Sequence, residues 1–385
     1  MTVDPARLDP QHLDPATVDP DYLLRERYLT GRPRRRIVSA YYALKPLMPP
    51  RLRLAVRRVY ARRQSEQTFP RWPIEPILVQ HQQAELRRRI AKAGGRPVRL
   101  VNFWPDGARF ASILTHDVEG PKGIANIERL RELERRHGLV SAWYFVGGDY
   151  SIPDGLFERL RADGCEVGLH GIHHDAKLFS SRAAFERELP LIHRYLAEWD
   201  AVGFRSPATH RNADWMPELG CLYDTSFSDS APFEPQPGGC CSILPYFLDE
   251  LVELPMTLVM DHTLWEILRD TSSDRWVQKA EWVIANHGLV NLLVHPDYVT
   301  SPEREACYEQ FLRFLASRTD GWHALPRQVA QWWKARAALD EQQVAAGAQI
   351  PVDGERLTAT LAEARELDGE AVIEPRNPAP AGQPR

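Results

Sequence analysis

The sequence predicts an α/β fold in which strands and helices alternate along the chain. Strand-like runs at residues 140–146 and 166–169 are each followed by a helical run, at residues 154–162 and 182–199. This βαβα order is typical of parallel strands covered by helices. The chain has 385 residues, of which 43% are hydrophobic, which is enough for one large core with additional segments.

Further elements follow from local signals. Apolar residues recur every three positions on a charged segment, which predicts a helix with one buried face: Ile124, Ile127, Leu130 and Leu133. Ser272 or Ser273 is a candidate cap for a second helix, which His287 and Gly288 would end. The runs at residues 98–103 and 109–114 flank a Trp-Pro-Asp-Gly turn and predict a hairpin.

Two histidines four positions apart, His170 and His174, follow the strand at residues 166–169. If that strand continues into a helical turn at Gly171, both imidazoles lie on one face and can bind one cation. The alternative is that they cap a helix or lie on its solvated face.

Two acids end an earlier β-favouring run, Ala111 to Glu119. Asp117 and Glu119 are two residues apart and therefore lie on one side of an extended chain. One carboxylate with two imidazoles, leaving positions open for water, is the usual donor set of a hydrolytic metal site. The alternative is a pair of solvated acids at a strand end.

Four segments in order, Thr115 to Glu119, His170 to His174, Gly203 to Pro207 and Leu293 to His295, resemble the successive motifs of the polysaccharide deacetylase family, the NodB-like carbohydrate esterases. The resemblance covers about residues 101–333. It implies a distorted (β/α) barrel, which we expect over residues 96–339. It also implies a divalent metal, most often Zn²⁺, held by an acid and the two histidines at the strand ends.

The chain departs from the family pattern at one point. The family has two adjacent aspartates, a base and then a metal ligand, whereas Val118 separates Asp117 from Glu119 here. Either Glu119 supplies the ligand oxygen through its longer side chain, or Asp117 binds the metal itself.

The resemblance also implies catalytic roles. Asp117 would be the general base, Arg205 would orient it, and His295 would be the general acid. A surface salt bridge is the competing interpretation of Arg205, and an ordinary strand-end histidine that of His295. Asp297 is a candidate to orient the His295 ring.

Substrate contacts are expected from two further residues. Pro207 belongs to the Arg-Ser-Pro motif, and Trp265 is a candidate platform for stacking on a sugar ring. Packing in the core is the alternative for the tryptophan.

Residues 1–95 are expected to form an N-terminal arm. It opens with a five-residue Asp-Pro repeat whose prolines oppose a continuous helix. Residues 32–63 contain eleven Arg or Lys and no acid, interleaved with apolar residues. This basic segment is suited to an anionic membrane surface, an acidic polymer or a polysaccharide-assembly partner, or to packing on the barrel beside its own acids.

The remaining features of the sequence concern the C-terminal residues, the location of the protein and its partners. Residues 340–385 are rich in Ala, Gln, Glu and Pro and are expected to form a flexible tail. No signal peptide or membrane-spanning run is evident, and the five cysteines form no C-x-x-C pair, so a cytoplasmic protein with reduced thiols is expected. The net charge of −4 argues against nucleic acid as a partner.

The sequence therefore predicts a metal-dependent hydrolase that removes N-acetyl groups from a sugar-containing precursor of surface polysaccharide. A hydrolase of a non-sugar C–N bond and a catalytically idle glycan-binding domain are the two alternatives. No His-Glu-x-x-His helix, Gly-x-Ser-x-Gly elbow or phosphate-binding Gly-Lys-Ser/Thr loop occurs, which excludes these common alternatives.

Overall fold

The computed structural model describes residues 13–29, 49–64 and 68–375. Its helices are α1 (Pro20–Leu24), α2 (Pro50–Gln64), α3 (Ile77–Lys92), α4 (Pro121–Arg136), α5 (Leu156–Ala162), α6 (Arg182–Glu198), α7 (Asp274–Ala285), α8 (Pro302–Ala316), α9 (Pro326–Ala337) and α10 (Glu341–Ala345). Its strands are β1 (Val98–Val101), β2 (Phe110–Val118), β3 (Ala142–Phe145), β4 (Glu166–Leu169), β5 (Gly203–Phe204), β6 (Tyr223–Asp224), β7 (Tyr246–Leu248), β8 (Leu251–Glu253), β9 (Leu289–Leu293), β10 (Gly321–His323), β11 (Gln349–Val352), β12 (Glu355–Thr358), β13 (Leu361–Leu367) and β14 (Glu370–Pro375).

The central sheet is parallel except at one edge. Its order is β10-β2-β3-β4-β5-β6-β8-β7, with β9 also paired to β2, and only β7 and β8 are antiparallel. Every residue of β2 is buried, as expected for a parallel strand covered on both faces. Asp117 lies on this strand, which pairs with β3, β9 and β10.

The sheet curls so that its two ends are joined by individual hydrogen bonds and not by regular strand pairing. Leu258 N donates to Asn291 O at 3.1 Å, and Thr257 Oγ1 donates to Leu289 O at 2.6 Å. These bonds join β9 to the segment that follows β8. The prediction of a distorted (β/α) barrel is confirmed by this closure and by the alternation of strands with helices.

The two helices predicted from local signals are present. α4 begins at Pro121 and buries Ile127, Leu130 and Leu133. Its buried side chains join a core cluster that also contains Trp276 of α7 and Phe311 of α8. α7 ends before His287, whose φ of 58° is left-handed and stops the helix.

The predicted hairpin at residues 98–114 is wrong. A turn does form at Pro105–Gly107, but the strands on its two sides belong to different sheets. β1 pairs with β13, Val98 opposite Ala364, whereas β2 enters the barrel. The flanking runs were correctly predicted as strands, and only their partners differ.

The predicted flexible tail is wrong for residues 341–375. α10 is followed by the β11–β12 hairpin and by β13 and β14, which form a three-stranded antiparallel sheet with β1. Ile350 and Ile373 are buried in one cluster with Leu86 of α3 and Trp332 of α9. Apolar residues at alternate strand positions thus attach this segment to the barrel, while residues 376–385 lie outside the described part. The domain boundaries at 95 and 339 stay predictions.

The described part of the N-terminal arm packs on the barrel. Tyr22, Leu23 and Tyr28 are buried beside Ile77 of α3. Arg211 Nε donates to Glu26 at 2.8 Å, and both side chains are buried. The first two Asp-Pro repeats lie outside the described residues.

Within the basic segment, residues 32–48 lie outside the described part, and α2 packs against the short π-helix His262–Ile267. Arg57 donates to Phe233 O at 2.6 Å, and Arg58 donates to Glu266 O at 2.7 Å. Ala61 is buried against Phe233. For these side chains the structure agrees with packing on the barrel, the last of the alternatives above. Across the described ranges, no helix is both long and apolar enough to cross a bilayer.

Candidate active site

The candidate active site lies at the carboxyl ends of the parallel strands, the usual position in barrels of this kind. Asp117 lies near the end of β2, Glu119 and His170 directly follow β2 and β4, Arg205 follows β5 and His295 follows β9. The structure thus brings together all the residues predicted to hold metal or to catalyse.

Glu119, His170 and His174 form one group whose potential ligand atoms all lie within 4.8 Å of one another. His174 Nε2 is 3.0 Å from Glu119 Oε1, and the two imidazole centroids are 5.3 Å apart. Asp117 is not part of this group, although its Oδ2 lies 3.7 Å from His170 Nε2. The geometry therefore favours Glu119 over Asp117 as the acidic ligand.

The two histidines do not share a helical turn, as the spacing had suggested. Gly171 has a left-handed φ of 67°, and the chain continues as a loop. Asp149 holds this loop, because its Oδ2 accepts a hydrogen bond from His174 N at 2.6 Å and its Oδ1 is 2.7 Å from His173 Nδ1. The convergence of the imidazoles thus depends on an acid that no sequence motif indicated.

His170 presents an unprotonated nitrogen to the group. Its Nδ1 lies 3.0 Å from Arg205 O, and because a carbonyl can only accept, Nδ1 carries the proton. Burial lowers the pKa of His170 to about 4, against the opposing effect of Asp117, so the ring is neutral near pH 7. A neutral imidazole is the form that binds metal.

Asp117 is held by Arg205. Arg205 Nη1 donates to Asp117 Oδ1 at 3.0 Å, and both side chains are almost completely buried. Burial raises the pKa of Asp117, but Arg205, His170 and His295 together bring it below the usual value. The carboxylate is therefore ionised, with one oxygen fixed and Oδ2 directed toward the histidines.

His295 faces both acids. Its Nε2 is 3.6 Å from Glu119 Oε1 and 3.9 Å from Asp117 Oδ2. Burial lowers the pKa of His295, yet Asp261, with Glu119 and Asp117, raises it to about 10. The ring is therefore an imidazolium near neutral pH.

The residue that orients His295 is Asp261, and the prediction of Asp297 is wrong. Asp261 Oδ1 is 2.6 Å from His295 Nδ1, and its Oδ2 accepts a hydrogen bond from His295 N at 2.7 Å. Asp297 turns the other way and accepts hydrogen bonds from Glu119 N and Gly123 N. Adjacency in sequence suggested Asp297, whereas Asp261 arrives from the loop after β8.

The predicted substrate residues lie deeper than expected. Trp265 is 2% exposed and packs on Trp276 in the core, so the prediction that it stacks on a sugar is wrong. Pro207 is buried against Gly171, beneath the histidine loop. Substrate contact by Pro207 stays a prediction.

The donor set fits a divalent cation. His170 Nε2 is buried and has no hydrogen-bond partner among the described residues, and His174 Nε2 faces Glu119 Oε1 at 3.0 Å. Two imidazole nitrogens and one carboxylate oxygen within 4.8 Å of one another match a three-ligand hydrolytic site. Burial raises the pKa of Glu119, but His174 and His295 bring it well below its usual value, so this ligand is ionised.

Comparisons with known proteins gave structural similarity only. No family model and no curated protein sequence matches the chain. The Puue allantoinase structure is 15% identical with a TM-score of 0.49, covering 64% of this chain and 97% of that one. A probable polysaccharide deacetylase from Pseudomonas aeruginosa PAO1 is 18% identical with a TM-score of 0.47, covering 63% and 96%. A family 4 carbohydrate esterase from Streptomyces lividans, in complex with acetate, is 16% identical with a TM-score of 0.37, covering 56% and 93%.

These matches include proteins of different activities at low identity. The reaction of this chain is therefore argued from its own residues.

Proposed function

We propose that this protein is a metal-dependent hydrolase of the NodB-like polysaccharide deacetylase type that removes N-acetyl groups from a sugar-containing substrate. One observation carries the proposal. The convergent donors Glu119, His170 and His174 lie beside an ionised acid fixed by Arg205 and a charged imidazole fixed by Asp261.

Glu119, His170 and His174 would hold the cation, and zinc suits this mixture of nitrogen and oxygen donors. When bound, a divalent cation polarises an acyl carbonyl and makes a neighbouring water more acidic. With three protein ligands, the site keeps room for water and substrate.

Asp117 is the proposed general base. Oδ1 is occupied by Arg205, so Oδ2 is the oxygen free to accept a proton from the attacking water. Because Arg205 is itself buried, the ion pair keeps Asp117 in one position and ionised before the reaction begins.

His295 is the proposed general acid. Amide cleavage needs a proton on the departing nitrogen, since an amine is otherwise a poor leaving group. The Nε2 proton of His295 faces the two acids of the site, while Nδ1 is held by Asp261. The ring can therefore deliver a proton without changing its orientation.

The sugar substrate, the location and the partners are proposed from the sequence. The order of the four sequence motifs supports an N-acetylated carbohydrate, and a precursor of surface polysaccharide remains part of the proposal. A cytoplasmic location and attachment of residues 32–63 to a membrane or a polysaccharide-assembly partner stay predictions.

An acetate-release assay on N-acetylhexosamine oligomers and conjugates, with zinc supplied, tests the proposal. We expect the wild-type protein to release acetate and Asp117→Asn to lose about 10²- to 10⁴-fold in kcat/KM while keeping its metal. Asp214→Asn is the matched control, since this acid is 61% exposed and its ion pairs are with Arg25 and Arg27 of the N-terminal arm.

The other outcomes identify the alternatives. Release of ammonia from non-sugar amides, without acetate release, would indicate a hydrolase of another C–N bond. Stoichiometric metal with no turnover of either substrate class would favour the glycan-binding alternative. Loss of metal in Asp117→Asn would make this residue a ligand.

A further inference from the structure

Asp297 connects the two strands that carry the site. It follows His295 by two positions, yet its carboxylate points toward the end of β2. Oδ2 accepts a hydrogen bond from Glu119 N at 3.1 Å, and Oδ1 accepts one from Gly123 N at 2.9 Å. One side chain thus fixes both the backbone of Glu119 and the first turn of α4.

Glu119 needs such a partner because it lies beyond the sheet. The parallel pairing of β2 with β3 ends at Val118 opposite Phe145, one residue before Glu119. The Glu119 side chain is 20% exposed and has three rotatable bonds. The strand pairing therefore does not hold the Glu119 backbone, whereas Asp297 does.

Tyr298, the residue after Asp297, lies close to the Glu119 side chain. Tyr298 Oη lies 3.4 Å from Glu119 Oε2, the oxygen not directed at His174. The Tyr298 ring lies between His295 and His262, with centroid distances of 5.1 and 5.2 Å. Asp297 and Tyr298 therefore contact Glu119 at its backbone and at its carboxylate, respectively.

Gly123 makes room for the Asp297 carboxylate. A Cβ at residue 123 would lie 2.1 Å from Asp297 Oδ2, far inside contact distance. A Cβ at residue 120 would lie 3.9 Å from Asp297 Oδ1, an ordinary contact, and Gly120 has an extended φ of 179°. The two glycines therefore form a matched pair, of which only Gly123 is needed for this arrangement.

We infer that Asp297 is a positioning residue for Glu119 and that Gly123 is required for Asp297 to act. This inference rests on the proposed function, in which Glu119 is a metal ligand. Asp297 fixes the ligand's backbone before the cation arrives, so less ordering accompanies binding. It also sets where Glu119, two residues after Asp117, lies relative to His170 and His174.

The test is the affinity of the metal-free protein for Zn²⁺, measured by competition with a chelator at fixed pH. We expect Asp297→Ala and Gly123→Ala each to weaken binding by about 10- to 100-fold. Gly120→Ala should bind as wild type does. Asp297→Asn keeps one acceptor oxygen for two N–H groups and should be intermediate.

Gly123→Ala separates positioning from a loss of folding. A helical Gly→Ala change by itself favours folding, but here it displaces the Asp297 carboxylate, so a merely structural role predicts lower stability with unchanged zinc affinity of the folded protein. Wild-type affinity in both Gly123→Ala and Asp297→Ala would overturn the inference.

Glu119→Gln and His170→Ala distinguish the failure of this inference from the failure of the proposed function. If these variants also bind zinc as wild type does, the proposed metal site is wrong. If they lose zinc while Asp297→Ala and Gly123→Ala keep it, only the inference about Asp297 fails.

Discussion

Asp261 holds His295 at two points, its ring and its backbone. The carboxylate oxygens lie 2.6 Å from Nδ1 and 2.7 Å from the backbone nitrogen. Asp261 is completely buried, so its charge acts on the imidazole with little screening by water. This pairing sets the protonation state on which the proposed acid depends.

Asp261→Asn should therefore move the alkaline limb of the pH profile of kcat/KM to lower pH. The carboxylate raises the pKa of His295 to about 10 against the effect of burial, and the amide removes that charge. A general acid is lost as pH rises through its pKa, so a lower pKa brings the loss earlier. An unmoved limb with a uniform loss of activity would show that Asp261 only supports the fold.

Arg205→Lys should move the acidic limb to higher pH. Burial raises the pKa of Asp117, and Arg205 is the main group that lowers it. A lysine cannot also reproduce the bonds from Arg205 to Thr115 and Thr225. The general base is lost as pH falls through its pKa, so a raised pKa shifts that loss upward. A rate profile identical in shape to the wild type would contradict this role of Arg205.

Glu166→Gln should stabilise the protein more at pH 8 than at pH 5. Burial raises the pKa of Glu166 to about 7. The folded state therefore binds more protons than the unfolded state between about pH 4.5 and 7, and the stability contributed by the protonated acid is lost as pH rises through that window. A shift of this size corresponds to up to about 3 kcal/mol.

The glutamine can satisfy the same neighbours. Glu166 accepts hydrogen bonds from Tyr223 OH and Arg327 N, and Tyr223 Oη also lies 2.7 Å from Tyr144 Oη. A glutamine amide could donate to Tyr223, whose hydroxyl would then donate to Tyr144. Chemical denaturation of both proteins at the two pH values measures the effect, and a difference in unfolding free energy that does not change with pH would rule it out.

Ile350→Ala should destabilise the protein by about 2–5 kcal/mol. Ile350 is 3% exposed within the cluster that attaches the C-terminal segment to α3 and α9. Leu367→Ala is the matched control, because Leu367 is 48% exposed and should change stability by less than about 0.5 kcal/mol. Equal denaturation midpoints for the two variants would mean that this segment does not contribute to the folded core.

The barrel and the position of the site could be predicted because their signals are local. The buried run of β2 and the spacing in α4 each fix one element, and the motifs at the strand ends lie where parallel strands bring them together. The tail could not be predicted in this way. Its short strands carry charged residues at alternate positions, and only pairing with β1 and packing on α3 give them a buried face.

The candidate site shows the same limit. His170, His174, Asp117 and Glu119 could be found because they belong to recognisable sequence patterns. Asp149 and Asp261 lie in loops that carry no motif. Adjacency in sequence points to His295 as the partner of Asp297, but adjacency does not say which way a side chain turns after a strand, and Asp297 contacts Glu119 and Gly123. Trp265 was misassigned since an aromatic residue near a site is more often part of the core.

The central claim is that one divalent cation is held jointly by Glu119, His170 and His174. Titration of metal-free protein with Zn²⁺, followed by measurement of bound metal per chain, tests it most directly. We predict one ion per chain in the wild type and in His193→Ala, an exposed histidine of α6, and loss of tight binding in Glu119→Gln and His170→Ala. Equal zinc binding by all four proteins, or none by the wild type, would contradict the claim.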